Sequence, residues 1–139
     1  MTSAALTLGL SGLVLFATGL LIGFAVPRFS NSRMGLSAHL TAVQTGPALI
    51  AVALFWQHCS VPLSWEWPVA LTLMLSSYVL FLAIGVAAVT GASSALPMAG
   101  TGYSASKGME RLVTAMVGSS ALAMAAATLA LCWFAIGRI

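Results

Sequence analysis

The stretch Met34–Leu49, MGLSAHLTAVQTGPAL, gathers side chains with chemical capacity inside an otherwise apolar run. His39 heads it, Thr41, Gln44 and Thr45 follow, and Gly46-Pro47 interrupts it. An imidazole can carry a proton, donate or accept a hydrogen bond, or bind a transition metal. Val43, Gly46 and Ile50 follow His39 at helical steps of four, three and four, so they continue its face. A small residue one to two turns below the ring leaves room for a flat ligand. Pro47 lacks an N–H and so deprives the Val43 carbonyl, four residues earlier, of its helical donor. Two readings of His39 stand on this spacing. It holds a cofactor, or it donates to a carbonyl of a neighbouring helix.

The rest of the chemical inventory is short: His58, Ser76, Ser77 and Tyr78. His39 and His58 are nineteen residues apart, about 28 Å along a helix, so one subunit cannot offer both to one metal ion. His58 lies in WQHCS, after a tryptophan, and reads as an interfacial polar residue. Cys59 and Cys132 have no metal-ligand spacing and no C-x-x-C, and read as small apolar residues. With no second His or Cys near His39, a zinc site has too few ligands. A haem needs only one axial histidine and then keeps its opposite face open. The absence of C-x-x-C-H excludes the usual covalent c-type attachment.

The chain that must position these groups has 139 residues, 60% of them hydrophobic and only 5% charged, with a mean hydropathy of +1.07. Soluble domains carry about 25% charged residues, so this chain's solvent is largely lipid. The charged residues are Arg28, Arg33, Glu66, Lys107, Glu110, Arg111 and Arg138, with no aspartate. Between them run apolar stretches, and about 20 such residues span a bilayer core as a helix. The expected fold is all-α, a single four-helix membrane domain. Its spans are roughly Leu6–Val26, Ser37–Trp56, Val69–Thr90 and Arg111–Ile136. Pro27, Pro62 with Pro68, and Pro97 mark the connections. The runs do not alternate as barrel strands would. The first basic residue follows the first apolar run, so that run reads as a mature helix and not as a signal peptide.

No carboxylate lies mid-span. That excludes proton-coupled exporters of similar size, carboxylate-pair hydrolysis and a Ser-His-Asp triad. The basic residues are scattered at helix ends, which argues against nucleic acid as a partner. Arg28, Arg33, Lys107 and Arg111 in loops one and three, against Arg138, place those loops on the cytoplasmic side. Span one carries G-x-x-x-G at Gly19–Gly23, and span four repeats small residues at Ala115, Gly118, Ser119, Ala123 and Ala126. Such faces let membrane helices approach closely, within a subunit or between subunits. Loop three, GASSALPMAGTGYSASKGME, is Gly- and Ser-rich and reads as irregular. Ser106 is placed to cap span four, with Glu110 favourable at the helix's positive end.

RMGLSAHLTAVQTG resembles the hallmark motif of hydroxylaminobenzene mutases, membrane enzymes that turn an aryl hydroxylamine into an aminophenol. SSYVLFLA resembles that family's Tyr-containing segment, LPMAGTGYSASKGME its Pro-x-Ala-Gly loop ending in Glu, and WFAIGRI its terminal aromatic–Gly–Arg. The related styrene oxide isomerases share the Ala-His start and a Gly seven residues after the His, here Gly46. The resemblance implies a four-helix subunit in a bacterial inner membrane, a homo-trimer, and haem b bound between neighbouring subunits. It places the axial ligand on His39 and makes ferric iron the Lewis acid of a redox-neutral rearrangement. Two positions depart from the family pattern: Thr45 and Leu80 stand where Asn is usual.

By this resemblance His39 holds the iron, and the N–O bond of a small aromatic hydroxylamine weakens. Oxygen then returns to the ortho carbon, steered by Thr45, Gln44 and Tyr78. Gly46 leaves space for the macrocycle, and Arg28 or Arg33 pairs with its propionates or, alternatively, sets topology as surface charge. Two competing functions remain on the sequence: a b-type haem electron carrier, and a non-catalytic packing or transport subunit.

Overall fold

The computed structural model describes residues 1–137. The closing Arg138 of the terminal motif, which also enters the charge balance across the membrane, lies outside the described residues. The order is α1 (Ser3–Ala25), α2 (Ser32–Phe55), α3 (Leu63–Thr90), a short α4 (Pro97–Gly100) and α5 (Lys107–Ile136). Four of these helices, α1, α2, α3 and α5, are long and apolar enough to cross a membrane. Their lengths of 23, 24, 28 and 30 residues correspond to about 35–45 Å, more than the bilayer's hydrocarbon core of about 30 Å. Large apolar side chains such as Leu21, Phe24, Leu122, Leu129 and Trp133 point outward, as suits a lipid solvent.

All four spanning helices start earlier than hydropathy suggests, α2 and α3 by the most. α2 begins at Ser32 because the Asn31 side chain accepts the Met34 N–H at 3.1 Å, a standard N-cap. α3 begins at Leu63, with Pro62 at its N-cap position. Pro68 therefore lies inside α3 and is not a loop residue. Pro47 likewise sits inside a continuous α2. Ser106 caps α5 as expected, its hydroxyl accepting from Met109 N at 3.3 Å.

Packing is closest between α1 and α2, because glycines line the seam. A Cβ added at Gly12 would lie 2.6 Å from the Gly46 carbonyl oxygen, and one at Gly19 would lie 2.8 Å from the Ala42 Cβ. No side chain fits at either point, so the backbones touch. α3 packs on both α1 and α2, and α5 packs on α3. The buried positions of α5 are Val113, Ser120, Ala127 and Leu131. Of the small residues expected to form a packing face, Ala115, Gly118, Ser119 and Ala126 are exposed and Ala123 is half-buried.

Loop three is tied down at several points. Gly91 ends α3 with φ 79°, a left-handed geometry that favours glycine. Asn31, fully buried, donates its amide to Ala99 O at 3.0 Å and its backbone N–H to Ala88 O at 3.0 Å. Arg33 donates to the Thr101 carbonyl. Glu110 reaches back across the loop instead of serving only its own helix.

Candidate functional site

His39 is half-buried on α2, at the edge of the seam with α1. Its Nδ1 lies 2.8 Å from the Gly19 carbonyl oxygen. A carbonyl can only accept, so Nδ1 carries a proton, and in the neutral ring Nε2 then carries the lone pair. Nε2 has no hydrogen-bond partner among the described residues, yet it is not sealed in the core. The ring rests on Gly23, where an added Cβ would lie 2.9 Å from Nδ1 and 3.0 Å from Cε1. Both readings of the histidine are thus compatible in one geometry: one nitrogen serves a neighbouring helix and the other is available to a ligand.

Gly46 has a different local role from the one its spacing suggests. A Cβ there would lie 2.7 Å from the Gly12 carbonyl and 2.8 Å from the Phe16 backbone N. The space beneath His39 on that face is filled by α1.

The remaining polar candidates sort by their partners. Thr41 donates to Ser37 O at 2.8 Å, Ser76 to Leu73 O at 3.2 Å and Ser77 to Leu73 O at 2.6 Å. These hydroxyls are satisfied by their own helices, as is usual for Ser and Thr in membrane helices. Gln44 and Thr45 differ: neither side chain has a hydrogen-bond partner among the described residues. Gln44 is exposed and Thr45 half-buried. They do not share His39's face, because five and six residues along a helix turn them by roughly 140° and 240°. Tyr78, on α3, donates its hydroxyl to Ser11 O of α1 at 2.9 Å. Ser11 and Gly19 are eight residues apart on α1, about 12 Å, so the tyrosine and the histidine anchor at separate points of one helix. Within a single chain, Gln44, Thr45 and Tyr78 do not converge on His39. Leu80 is half-buried and part of the packing around the core.

Arg33 lies six residues before His39, about 9 Å along the helix, and Arg28 sits in the turn that precedes α2. Both are exposed. Arg33 is held by Thr101 O, whereas Arg28 makes no hydrogen bond or ion pair among the described residues. At the same membrane face, just before the apolar part of α5, Glu110 accepts from Ser94 N at 2.9 Å, Ala105 N at 3.0 Å and Ser93 N at 3.0 Å. Through these contacts one carboxylate ties both ends of loop three to the start of α5.

The opposite end of the chain carries the other candidates. His58 follows α2, its ring centroid 5.6 Å from that of Phe55. Cys59 and Cys132 line an apolar cavity of about 450 Å³ between the ends of α2 and α5. No group of three or more His, Cys, Asp or Glu side chains capable of holding a metal ion occurs among the described residues. Two participants were invisible to side-chain reasoning: the carbonyls of Gly19 and Ser11, which are backbone groups with no sequence signature.

Fold and site together define a multi-pass membrane protein whose candidate site offers a histidine and neutral polar side chains. Residues 4–136 match the styrene oxide isomerase family, and the chain belongs to that family. It is similar to hydroxylaminobenzene mutase HabA of Ectopseudomonas oleovorans, 37% identical over 122 residues, 87% of this chain and 90% of that protein. It is also similar to hydroxylaminobenzene mutase HabB of the same organism, 32% identical over 114 residues, 81% of this chain and 70% of that protein. No solved structure gives a significant match. The chain is an isomerase of the mutase type.

Proposed function

We propose that this isomerase converts an aryl hydroxylamine, such as hydroxylaminobenzene, into 2-aminophenol, with haem b held by His39. The observation that carries the reading is the placement of that imidazole: Nδ1–H is spent on Gly19 O, which makes Nε2 the nitrogen that the neutral ring offers to a ligand. A histidine so held fits an axial ligand, because iron binds the unprotonated nitrogen while the other makes the orienting hydrogen bond. The names of both relatives favour the substrate class. When bound, haem iron supplies a Lewis acid for the N–O group in a redox-neutral reaction.

The overall change balances without an oxidant: the N–O bond breaks, a C–O bond forms at the ortho carbon, and the displaced ring proton ends on nitrogen. The chain's own residues bind, orient and shield. Its lipid-facing apolar helices keep water from the reacting groups, which strengthens each polar contact there. Thr45 offers a hydroxyl, and Gln44 an amide, with no competing partner among the described residues. Tyr78 already has a partner in Ser11 O and must exchange it to reach a substrate oxygen. Arg28 is the better placed of the two arginines to pair with a propionate, since Arg33 holds loop three.

Because Gln44, Thr45 and Tyr78 do not meet His39 within one chain, the proposal includes a homo-oligomer, a trimer with haem between subunits, in a bacterial inner membrane. An electron carrier would want a second axial ligand, and the only other histidine, His58, lies beyond the far end of α2. The test is to incubate the detergent-purified protein with phenylhydroxylamine without reductant and follow product by chromatography. Formation of 2-aminophenol supports the assignment, and unchanged substrate with haem-loaded protein counts against it.

A further inference from the structure

We infer that the Gly19–Gly23 stretch of α1 is a positioning element for His39, setting its tautomer and ring plane before any cofactor or second subunit arrives. This rests on the reading of His39 as an axial ligand. Both contacts are internal to the chain. The Gly19 carbonyl takes the Nδ1 proton at 2.8 Å. The bare α-carbon of Gly23 is what lets the ring lie there, since a Cβ would stand 2.9 Å from Nδ1 and 3.0 Å from Cε1. One glycine supplies the acceptor and the other, one turn on, supplies the space. The imidazole is held by its own backbone hinge at α2 and by α1 on its flank. Nε2 is then the only nitrogen offered outward.

The consequence is preorganisation. A free histidine samples two tautomers and several rotamers, and a ligand that selects one conformation binds more weakly by the fraction excluded. Outer contacts of this kind are worth about 10- to 100-fold in metal affinity when removed. The same stretch explains why α1 needs glycine at residue 23 when the neighbouring Ile22 and Phe24 are bulky. Helix approach alone does not require it, because the side chain in contact there is the imidazole itself.

The experiment uses the full chain, ¹⁵N-labelled at histidine, with His58→Gln to leave one imidazole signal. In a haem-free detergent preparation, the ring nitrogens report the tautomer directly by NMR. The expected result is a protonated Nδ1 and a lone-pair Nε2. A neutral ring protonated at Nε2 and not at Nδ1 would overturn the inference. Gly23→Ala is then compared with Gly85→Ala, a matched change in α3 where an added Cβ meets nothing within 4 Å. Gly23→Ala is expected to mix the tautomers and weaken haem binding about 10- to 100-fold, with Gly85→Ala unchanged. Wild-type tautomer and haem affinity in Gly23→Ala would also overturn it. If Gly23→Ala fails to fold, the wild-type tautomer still decides. A protonated Nδ1 in a protein that binds no haem supports the positioning and removes the axial-ligand reading, so the two fail separately.

Discussion

Replacing Asn31 should loosen the membrane face on which His39 sits. Its side chain makes two contacts: Oδ1 caps α2 by accepting Met34 N–H at 3.1 Å, and Nδ2 donates to Ala99 O at 3.0 Å. The residue is fully buried, so water does not replace either partner in the folded state. Losing a cap costs about 1 kcal/mol. Leaving the half-buried Ala99 carbonyl without its donor costs about 1–3 kcal/mol more. Asn31→Ala is therefore expected to destabilise by about 2–4 kcal/mol, which is about 30- to 700-fold in the folding equilibrium at ~1.4 kcal/mol per decade. Asn31→Ser keeps a capping hydroxyl and loses only the tie to Ala99, so it should fall between wild type and Asn31→Ala. The assay is reversible SDS titration in mixed micelles, followed by helicity. The two variants should also rank the same way in protease nicking of loop three. An Asn31→Ala midpoint within about 0.5 kcal/mol of wild type, or Asn31→Ser as damaging as Asn31→Ala, would refute the reasoning.

Other outcomes follow from the same geometry. Gly46→Ala drives a methyl group into Gly12 O and Phe16, and overpacking of this kind should cost about 1–3 kcal/mol in the same titration. Glu110 accepts the backbone N–H groups of Ser93, Ser94 and Ala105, so Glu110→Ala should accelerate amide exchange at those three residues, and exchange as slow as in wild type would count against that role. Thr45→Val, which keeps shape and removes the hydroxyl, should lower kcat/KM about tenfold, the equivalent of one hydrogen bond of ~1.4 kcal/mol, whereas Thr45→Asn should retain or raise it; activity in Thr45→Val equal to wild type would remove that residue from the site.

The four spanning helices were legible because a lipid solvent leaves a coarse imprint: long apolar runs bounded by charges. Their water-facing turns were not, since hydropathy follows the hydrocarbon core and stops where Asn31 and Pro62 take over. Pro68 reads as a breaker in isolation, yet it stands at the sixth residue of α3, where it leaves the Ser64 carbonyl without its helical donor and the helix continues. His39 stood out by chemistry, and G-x-x-x-G at Gly19–Gly23 by pattern. That the two are one contact was hidden, because nothing in either motif names its partner and the acceptor is a backbone carbonyl. The small-residue face of span four, read as packing within a subunit or between subunits, stays mostly exposed within the chain. The face that the helix buries runs through Val113, Ser120, Ala127 and Leu131, chosen by where α3 lies. Glu110 was recognised as a residue for a helix start, while its reach to Ser93 and Ser94 depends on the path of loop three.

The absorption spectrum of the purified protein tests most directly whether His39 is the ligand of a haem. Wild-type protein expressed with haem precursor and purified in detergent is predicted to show a Soret band, and His39→Ala, folded with the same helicity, is predicted to lose it. A wild-type protein with no Soret band, or a band that survives His39→Ala unchanged, would contradict that role.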